Sequence, residues 1–260
     1  MPSQPVFRHP IGRFERLGRR IYSGALRSFG FPKQVVRAQG ALFVVDTIEC
    51  IDQAIAIDGI WEGEQLERMA AVCRQRPVDV FLDIGANSGI YSVLIATKGL
   101  AGEVVAFEPD PGNYARLLAN LSVNGLAAKV RALPWAVGDR AGEVTLTEAG
   151  ADNRGESWIA HPDLPDQPVP GPTHQVKQVR FDDEFAIAGK TLLIKMDVEG
   201  YEFMSLAGMQ RTLRDNACYL QVELYSDRLE ELKALFAGLG YRYICTWSID
   251  HYFTNMSGVT

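Results

Sequence analysis

The sequence predicts a doubly wound α/β fold, in which helices cover both faces of a mostly parallel sheet and an antiparallel hairpin forms one edge. Three observations support this prediction. Apolar strand candidates alternate with helical segments from residue 80 onward. Residues 191–197 are almost wholly apolar, as expected at the centre of a parallel sheet. Residues 241–247 and 251–253 have the pattern of a final hairpin.

The composition is that of an ordinary globular protein. The chain has 260 residues, of which 47% are hydrophobic and 22% charged, enough for one sizeable core with a small appendage. No apolar run approaches the roughly 18 residues of a membrane span, and the basic start lacks the apolar segment of a secretory signal. The four cysteines lack metal-site spacing and lie in apolar contexts, which predicts free thiols and a cytoplasmic setting.

The charge is unevenly distributed. Residues 1–40 contain eight Lys or Arg and one acid, Glu15, which gives about +7. The net charge of −6 for the whole chain therefore leaves about −13 on the remainder. A basic arm on an acidic body argues against a nucleic-acid-binding core.

The predicted organisation has three parts: a basic helical arm over residues 1–40, a hairpin and helix over residues 41–76, and the core over residues 77–260. Residues 42–48 and 53–59 are the predicted strands of the hairpin. Trp61 and Glu62 precede a helix that reaches about residue 74. They either cover a bound cofactor from the N-terminal side or only begin that helix, with Glu62 at its positive end.

Residues 11–29 of the arm have helical periodicity. The predicted apolar stripe consists of Ile11, Phe14, Leu17, Ile21 and Leu26, with arginines on the other side. One interpretation is an accessory helix packed on the domain with a solvated basic face. The other is a helix bound to an acidic partner or to the anionic inner face of the membrane. Gly18 and Gly24 weaken the helix, which favours the first interpretation.

A strand, a glycine loop and a helix begin the core. Residues 80–83 form an apolar strand that ends in Asp83, Gly85 and Gly89 bound the loop, and residues 90–96 have helical spacing. This is the first half of a nucleotide-binding βαβ unit. The further predicted strands are 103–108, 129–137, 143–147, 191–197 and 219–224, the further helices are 113–122, 201–213 and 227–239, and residues 148–174 form a proline-rich loop.

Two residues separate the possible nucleotides. Glu108 lies about two dozen residues beyond Gly85, the spacing at which an acid binds the ribose hydroxyls of an adenosine. This fits both a nicotinamide cofactor and S-adenosylmethionine (SAM). The loop lacks the third glycine of the dinucleotide motif, and Asp83 would repel a pyrophosphate but suits the cationic sulfonium and ammonium of SAM.

Four motifs resemble one known family. Residues 83–92, 106–111 and 193–202, together with Asn120 and Asn124, closely resemble the FkbM family of SAM-dependent methyltransferases, in the family's order and over about residues 61–223. The resemblance implies a class I methyltransferase (Rossmann-like) fold and methylation of a hydroxyl group on a sugar or natural product.

The resemblance also implies roles for individual residues. SAM is the expected cofactor. Asp83, Gly85, Asn87 and Gly89 would hold its methionine part, Glu108 its ribose, and Pro109 and Asp110 would lie beside its adenine. Asp197 and Glu199 would lie nearest the methyl group.

Methyl transfer to a hydroxyl benefits from alignment of the acceptor oxygen and from a base that takes its proton. Asp197 is the first candidate for this base and Glu199 the second; Asp197 could instead only position SAM or cap the next helix. His161 and His174 are further candidates. Glu202 is predicted to reach back to the turn at residues 199–200, and no dedicated metal site is predicted, although Glu223 could join Asp197 around Mg²⁺.

The acceptor is expected to contact a polar cluster that precedes the prolines, formed by Asn153, Arg154, Glu156 and Ser157; the alternative is ordinary loop polarity. The sequence therefore predicts a SAM-dependent O-methyltransferase acting on a saccharide, a glycolipid or a small secondary metabolite. The alternatives are an NAD-dependent oxidoreductase and a non-catalytic SAM-fold module that binds a partner through its arm.

Overall fold

The structure is a computed structural model that describes residues 5–7, 11–150, 155, 157–160, 171–225 and 227–259. Its helices and strands, in chain order, are α1 (Arg13–Ser28), β1 (Lys33–Ala38), β2 (Ala41–Asp46), α2 (Cys50–Asp58), α3 (Gly63–Gln75), β3 (Val80–Ile84), α4 (Ile90–Lys98), β4 (Glu103–Phe107), α5 (Pro111–Val123), β5 (Val130–Leu133), β6 (Trp135–Gly138), β7 (Gly142–Thr147), β8 (Trp158–Ile159), β9 (Thr173–Arg180), α6 (Phe181–Glu184), β10 (Thr191–Met196), α7 (Glu202–Ala207), α8 (Gln210–Asp215), β11 (Ala217–Glu223), α9 (Leu229–Gly238), β12 (Arg242–Trp247) and β13 (Asp250–Thr254).

A seven-stranded sheet forms the centre of the fold, with the strand order β12-β13-β11-β10-β3-β4-β5. Neighbouring strands from β11 to β5 are parallel, and β13 runs antiparallel to both β11 and β12. This confirms the predicted doubly wound sheet with an antiparallel edge. The chain runs outward in opposite directions from β3 and β10, so their carboxyl ends border the crevice in which such folds bind ligands.

The core lies on both faces of this sheet because successive residues of each buried strand point to opposite faces. Phe81 and Leu193 pack into the cluster that contains α4 and α5, whereas Leu82 and Ile194 pack into the cluster that contains α7 and α9. β3 is buried at all five positions. Burial on both faces explains why this strand is apolar at every position except Asp83.

A second sheet, with the order β6-β9-β7-β8, branches from the central one. The predicted single strand over residues 129–137 is wrong, because Pro134 separates β5 of the central sheet from β6 of the second. Proline has no N–H to continue a ladder, so the chain can change sheets there. β8 and the start of β9 lie within the predicted loop 148–174, of which residues 151–154, 156 and 161–170 lie outside the described residues.

The N-terminal hairpin is formed by β1 and β2, across the predicted boundary at residue 40. The predicted strand over residues 53–59 is wrong, since these residues belong to helix α2. The alternation of alanine and isoleucine in this segment also fits a short helix. Buried Asp52 accepts the N–H of Asp46 at 2.7 Å, and Ile55 and Ala56 are buried with it at helical spacing.

Helix α1 confirms the predicted helix. It packs on the rest of the protein with its polar side, and Phe14 and Ile21 of the predicted apolar stripe face outward. Ser23 on its polar side is buried with 5% exposure, whereas Phe14 is 90% and Ile21 64% exposed. No helix in the described parts of the chain has both the length and the apolar character needed to cross a bilayer.

Candidate active site

The glycine loop after β3 lies directly against the end of β10. Gly85 has a φ of +82°, and a β-carbon there would overlap the carbonyl oxygen of Asp197. The N–H groups of Gly85 and Ala86 both donate to the carbonyl of Phe107, at 3.0 and 2.9 Å. Only glycine satisfies both the conformation and the contact, which brings the ends of β3, β4 and β10 together.

Glu108 follows β4 and holds this loop from the other side. Its Oε2 accepts the N–H of Asn87 at 2.6 Å, and its Oε1 accepts the N–H of Asp110 at 2.8 Å. Burial raises the pKa of Glu108 to about 8, although both N–H groups favour the ionised form. The structure therefore places Glu108 at the crevice, as predicted.

Asp110 is the N-cap of α5. Its Oδ1 accepts the N–H groups of Gly112 and Asn113, at 2.8 and 2.9 Å. Its Oδ2 accepts the hydroxyl of Ser157 at 3.0 Å, which ties the second sheet to the start of α5. Asp110 thus holds the start of α5 and Ser157 in place next to Glu108 and Pro109.

Asp83 is a buried carboxylate with spare bonding capacity. Its Oδ2 accepts both the N–H and the hydroxyl of Ser92, at 3.1 and 2.6 Å, while its Oδ1 is buried without a hydrogen bond from any described residue. Burial raises the pKa of Asp83, and the neighbouring Lys195 opposes that effect. Gly89 lies against α5, where a β-carbon would overlap Leu117, and it borders none of the three cavities below.

Three adjoining cavities open at the carboxyl ends of these strands. The first lies beside Glu108, Pro109 and Trp135, and the second beside Asp83 and Tyr91. The third has a volume of about 420 Å³, and its lining includes Trp61, Glu62, Glu199, Glu223, Tyr225 and Asp250. Asn87 and Asp197 line all three. A ligand that spans the first two cavities and a second ligand in the third would meet at this pair.

Lys195 is buried beneath the meeting point of the cavities. Its Nζ donates to Asp197 Oδ2 at 2.7 Å and lies 5.0 Å from the centre of the Tyr91 ring. Burial lowers the pKa of Lys195, but the surrounding carboxylates outweigh this and raise it well above its usual value. The side chain is therefore a fixed ammonium ion, which sequence reasoning missed because strand β10 reads as apolar.

A hydrogen-bonded network extends from Glu62 to the edge hairpin. Glu62 accepts the hydroxyl of Tyr91 at 2.6 Å and the indole N–H of Trp61 at 3.0 Å. Gln221 donates to the Tyr91 oxygen at 3.3 Å and to Asp250 at 2.7 Å. Trp61 and Glu62 thus border the second and third cavities and lie just before α3.

Three carboxylates cluster at the mouth of the third cavity. Each of Asp197, Glu199 and Glu223 offers an oxygen, and these oxygens lie within 4.8 Å of one another. Burial and, second to it, the charge of Asp197 raise the pKa of Glu223 to about 8. The predicted contact of Glu202 is confirmed, since its Oε1 accepts the N–H of Gly200 at 2.9 Å. Such a cluster can take up a proton or hold a cation.

The predicted acceptor-binding and histidine candidates are dispersed. Ser157 borders the first cavity, whereas Asn153, Arg154, Glu156 and His161 lie outside the described residues. His174 lies in the second sheet with its Nε2 at 2.5 Å from Glu148 Oε1, and it borders none of the three cavities.

Comparison with known proteins finds similarity to methyltransferases. The sequence model of the FkbM methyltransferase domain matches residues 83–243. The 2-O-methyltransferase NoeI of Sinorhizobium fredii is 27% identical over 64% of this chain and 73% of its own. The hexuronic acid methyltransferase AglP of Haloferax volcanii is 25% identical over 79% of this chain and 78% of its own. The crystal structure of an FkbM methyltransferase from Methylobacillus flagellatus KT aligns with a TM-score of 0.47 at 17% identity, covering 90% of this chain and 70% of that one.

Proposed function

This chain belongs to the FkbM methyltransferase family, and we propose that it transfers the methyl group of SAM to a hydroxyl of an uncharged or cationic saccharide. Family membership makes it a SAM-dependent methyltransferase and removes the alternative of an NAD-dependent oxidoreductase. The observation that carries the acceptor proposal is the third cavity, which is lined by carboxylates and meets the other two cavities at Asn87 and Asp197.

The first two cavities have the groups that SAM requires. Glu108 is placed to accept ribose hydroxyls beside Pro109, and the unpartnered Oδ1 of Asp83 suits a cationic amine. The absence of a side chain at Gly85 keeps the loop close enough to Asp197 to line one continuous surface. SAM supplies an electrophilic methyl group on a sulfonium, and the protein contributes alignment of the acceptor and acceptance of its proton.

The lining of the third cavity selects against anionic acceptors. Glu62, Asp197, Glu199, Glu223 and Asp250 all border it, and none of its described lining residues is Lys or Arg. An acceptor carboxylate would find no cationic side chain among these lining residues with which to pair, whereas sugar hydroxyls can donate to the carboxyl oxygens. Trp61 and Tyr225 add flat apolar surface against which a sugar ring can pack.

We propose Asp197 as the base for the acceptor hydroxyl, with Glu199 as the second candidate. Asp197 lines both the second and the third cavity. Lys195 Nζ holds its carboxylate by donating to Oδ2 at 2.7 Å. Glu223, with its raised pKa, lies within reach as the group to which the proton can pass. Mg²⁺ bound by these three carboxylates is the alternative arrangement, although the nearby ammonium of Lys195 already supplies positive charge.

A cytoplasmic location is part of the proposal. All four cysteines are free thiols, with Cys218 buried, which suits a reducing compartment.

The test is methyl transfer to a matched panel of glycosides. The purified protein is incubated with SAM and with a neutral hexoside, the corresponding amino sugar and the corresponding uronic acid, and both S-adenosylhomocysteine and the methylated sugar are measured. We expect transfer to the neutral or amino glycoside and little transfer to the uronic acid. Preferential methylation of the uronic acid would overturn the acceptor proposal while leaving methyltransferase activity intact.

Variants of the proposed base give a second test. Asp197→Asn should lower kcat by about 10²–10⁴-fold while S-adenosylhomocysteine still binds. Glu199→Gln is the comparison, because Glu199 lies at the mouth of the same cavity. If Glu199→Gln lowers kcat more than Asp197→Asn does, Glu199 and not Asp197 is the base. A chain that binds SAM but methylates no glycoside or small hydroxyl compound would support the non-catalytic module.

A further inference from the structure

Helix α1 carries an apolar face that the rest of the described chain leaves uncovered. Phe14, Leu17 and Ile21 follow one another at helical spacing and are 90%, 54% and 64% exposed. Phe29 and Phe31, just after the helix, extend this surface with 78% and 65% exposure. Exposed aromatic and aliphatic side chains in one contiguous patch mark an interaction surface. These five residues are called the α1 patch below.

The polar side of α1 holds the helix in this orientation. Arg16 Nε forms an ion pair with Asp58 Oδ1 at 2.8 Å. Arg27 reaches the carbonyl of Thr47 at 3.5 Å. Ile11 and Leu26 are half-buried, whereas Phe14, Leu17 and Ile21 point outward, the reverse of a helix whose apolar residues all stabilise a core.

Exposed cations lie on α1 beside the α1 patch. Arg13 and Arg20 are exposed, and neither forms an ion pair with another described residue. Glu15, the one acid in residues 1–40, is engaged by Arg19 at 2.9 Å. An apolar stripe bordered by free arginines is the pattern of a helix that lies in the plane of a lipid interface, with the arginine heads among anionic headgroups.

We propose that α1 binds the surface of an anionic membrane, with the α1 patch inserted among the lipid chains and the flanking cations against the headgroups. The helix has 16 residues and is about 24 Å long, so it can lie along the interface as a whole. Charge favours this occupant over a symmetric contact with a second copy, because two such faces would bring their arginines together. Phe29 and Phe31 provide bulky side chains that can enter the boundary between headgroups and acyl chains.

The membrane site adjoins the proposed acceptor cavity along the chain. Arg16 of α1 is paired with Asp58 at the end of α2, and Cys50 and Ile51 at the start of α2 border the third cavity. The proposal does not depend on the identity of the acceptor, since membrane binding and methyl transfer are measured separately.

The experiment is co-sedimentation of the full chain with vesicles of phosphatidylcholine plus phosphatidylglycerol and with vesicles of phosphatidylcholine alone. We expect binding to the anionic vesicles that weakens as salt is added. The double variant Phe14→Gln/Ile21→Gln should reduce the partition coefficient by about 100-fold or more, since two large apolar side chains no longer enter the interface. Arg13→Gln/Arg20→Gln should reduce it by about 25-fold on anionic vesicles only, at about fivefold for each lost cation.

The matched control is Leu118→Gln/Val123→Gln, which makes the same kind of change at two exposed apolar positions of α5, 43% and 40% exposed. This variant should bind vesicles as the unchanged chain does. Equal pelleting of the unchanged chain and the Phe14/Ile21 variant would overturn the proposal. So would a dimer in light scattering that the Phe14/Ile21 variant dissociates while neither form binds vesicles, since the occupant would then be a second copy.

Discussion

Gly85 and Asp197 meet backbone to backbone where β3 and β10 end, so closely that a β-carbon on Gly85 would overlap the Asp197 carbonyl oxygen. The loop proposed to hold the methyl donor and the proposed base are therefore positioned by one contact. No side chain can be added at this position without separating them.

Gly85→Ala should destabilise the protein by about 3 kcal/mol or more, because left-handed strain and overpacking add. It should also abolish binding of S-adenosylhomocysteine. Urea denaturation and calorimetric titration measure the two effects. Gly99→Ala is the control, since Gly99 has a φ of +63° but nothing within 4 Å of an added β-carbon. Gly99→Ala should lower the free energy of unfolding only by the strain of about 1–2 kcal/mol and leave binding unchanged. Equal losses of stability and binding in Gly85→Ala and Gly99→Ala would show that the contact with Asp197 is unimportant.

Glu108 should make the ligand-free protein less stable as the pH rises. Burial raises its pKa from 4.5 to about 8, so the folded chain holds a proton that the unfolded chain has lost. The stabilisation from this proton is complete below about pH 4.5 and is lost as the pH rises to about 8. The free energy of unfolding falls across this window by up to about 1.4 kcal/mol per pH unit. The free energy of unfolding of the unchanged chain and of Glu108→Gln, measured in urea at several pH values, should diverge in slope across this window. Parallel pH profiles for the two proteins would show that Glu108 ionises normally in the folded state.

Removal of the Lys195 ammonium should destabilise the fold strongly. The carboxylates of Glu62, Asp83, Asp197 and Glu223 surround it, and Lys195→Met leaves them without a buried counter-charge, at a cost of about 3–5 kcal/mol. Thermal and urea denaturation provide the measurement. Lys190→Met is the matched control, because Lys190 is 53% exposed and its Nζ lies 4.0 Å from Asp79. That variant should change stability by less than about 1 kcal/mol.

Methyl transfer should continue in the presence of a chelator. Lys195 already provides a positive charge 2.7 Å from Asp197, and a divalent cation at the Asp197, Glu199 and Glu223 cluster would be repelled by it. Initial rates with EDTA should match those without it. A loss of activity that added Mg²⁺ restores would instead establish the metal-bound arrangement.

The parts of the fold that follow from local sequence were predictable. β3, β4, β10 and β11 are largely apolar and buried, and Glu108 and Asp197 follow two of them, so strand ends alone indicated where the site lies. Segments with ambiguous patterns were not. The alternating residues 54–57 fit both a strand and a helix, and the contacts of Asp52 with β2 decide between them.

The acidic network could not be predicted because it joins distant parts of the chain. Gln65 and Asp250 are 185 residues apart, and Tyr91 and Gln221 are 130 apart. Of these four residues, Tyr91 lies in the motif of residues 83–92, but nothing local to that motif indicates its partners. The orientation of α1 was equally hidden, since an amphipathic pattern shows that a helix has two faces but not which face the body binds.

A single residue, Pro134, separates β5 of the central sheet from β6 of the second sheet. The carbonyl of Leu133, just before it, accepts the N–H of Glu108 at 3.0 Å. Ser157, which directly precedes β8 of the second sheet, donates its hydroxyl to Asp110, two residues beyond Glu108. The second sheet is thus anchored on both sides of Glu108. We expect that any shift of that sheet on acceptor binding alters the proposed contacts of Glu108 with the methyl donor. By thermodynamic reciprocity, each substrate then changes the affinity of the protein for the other.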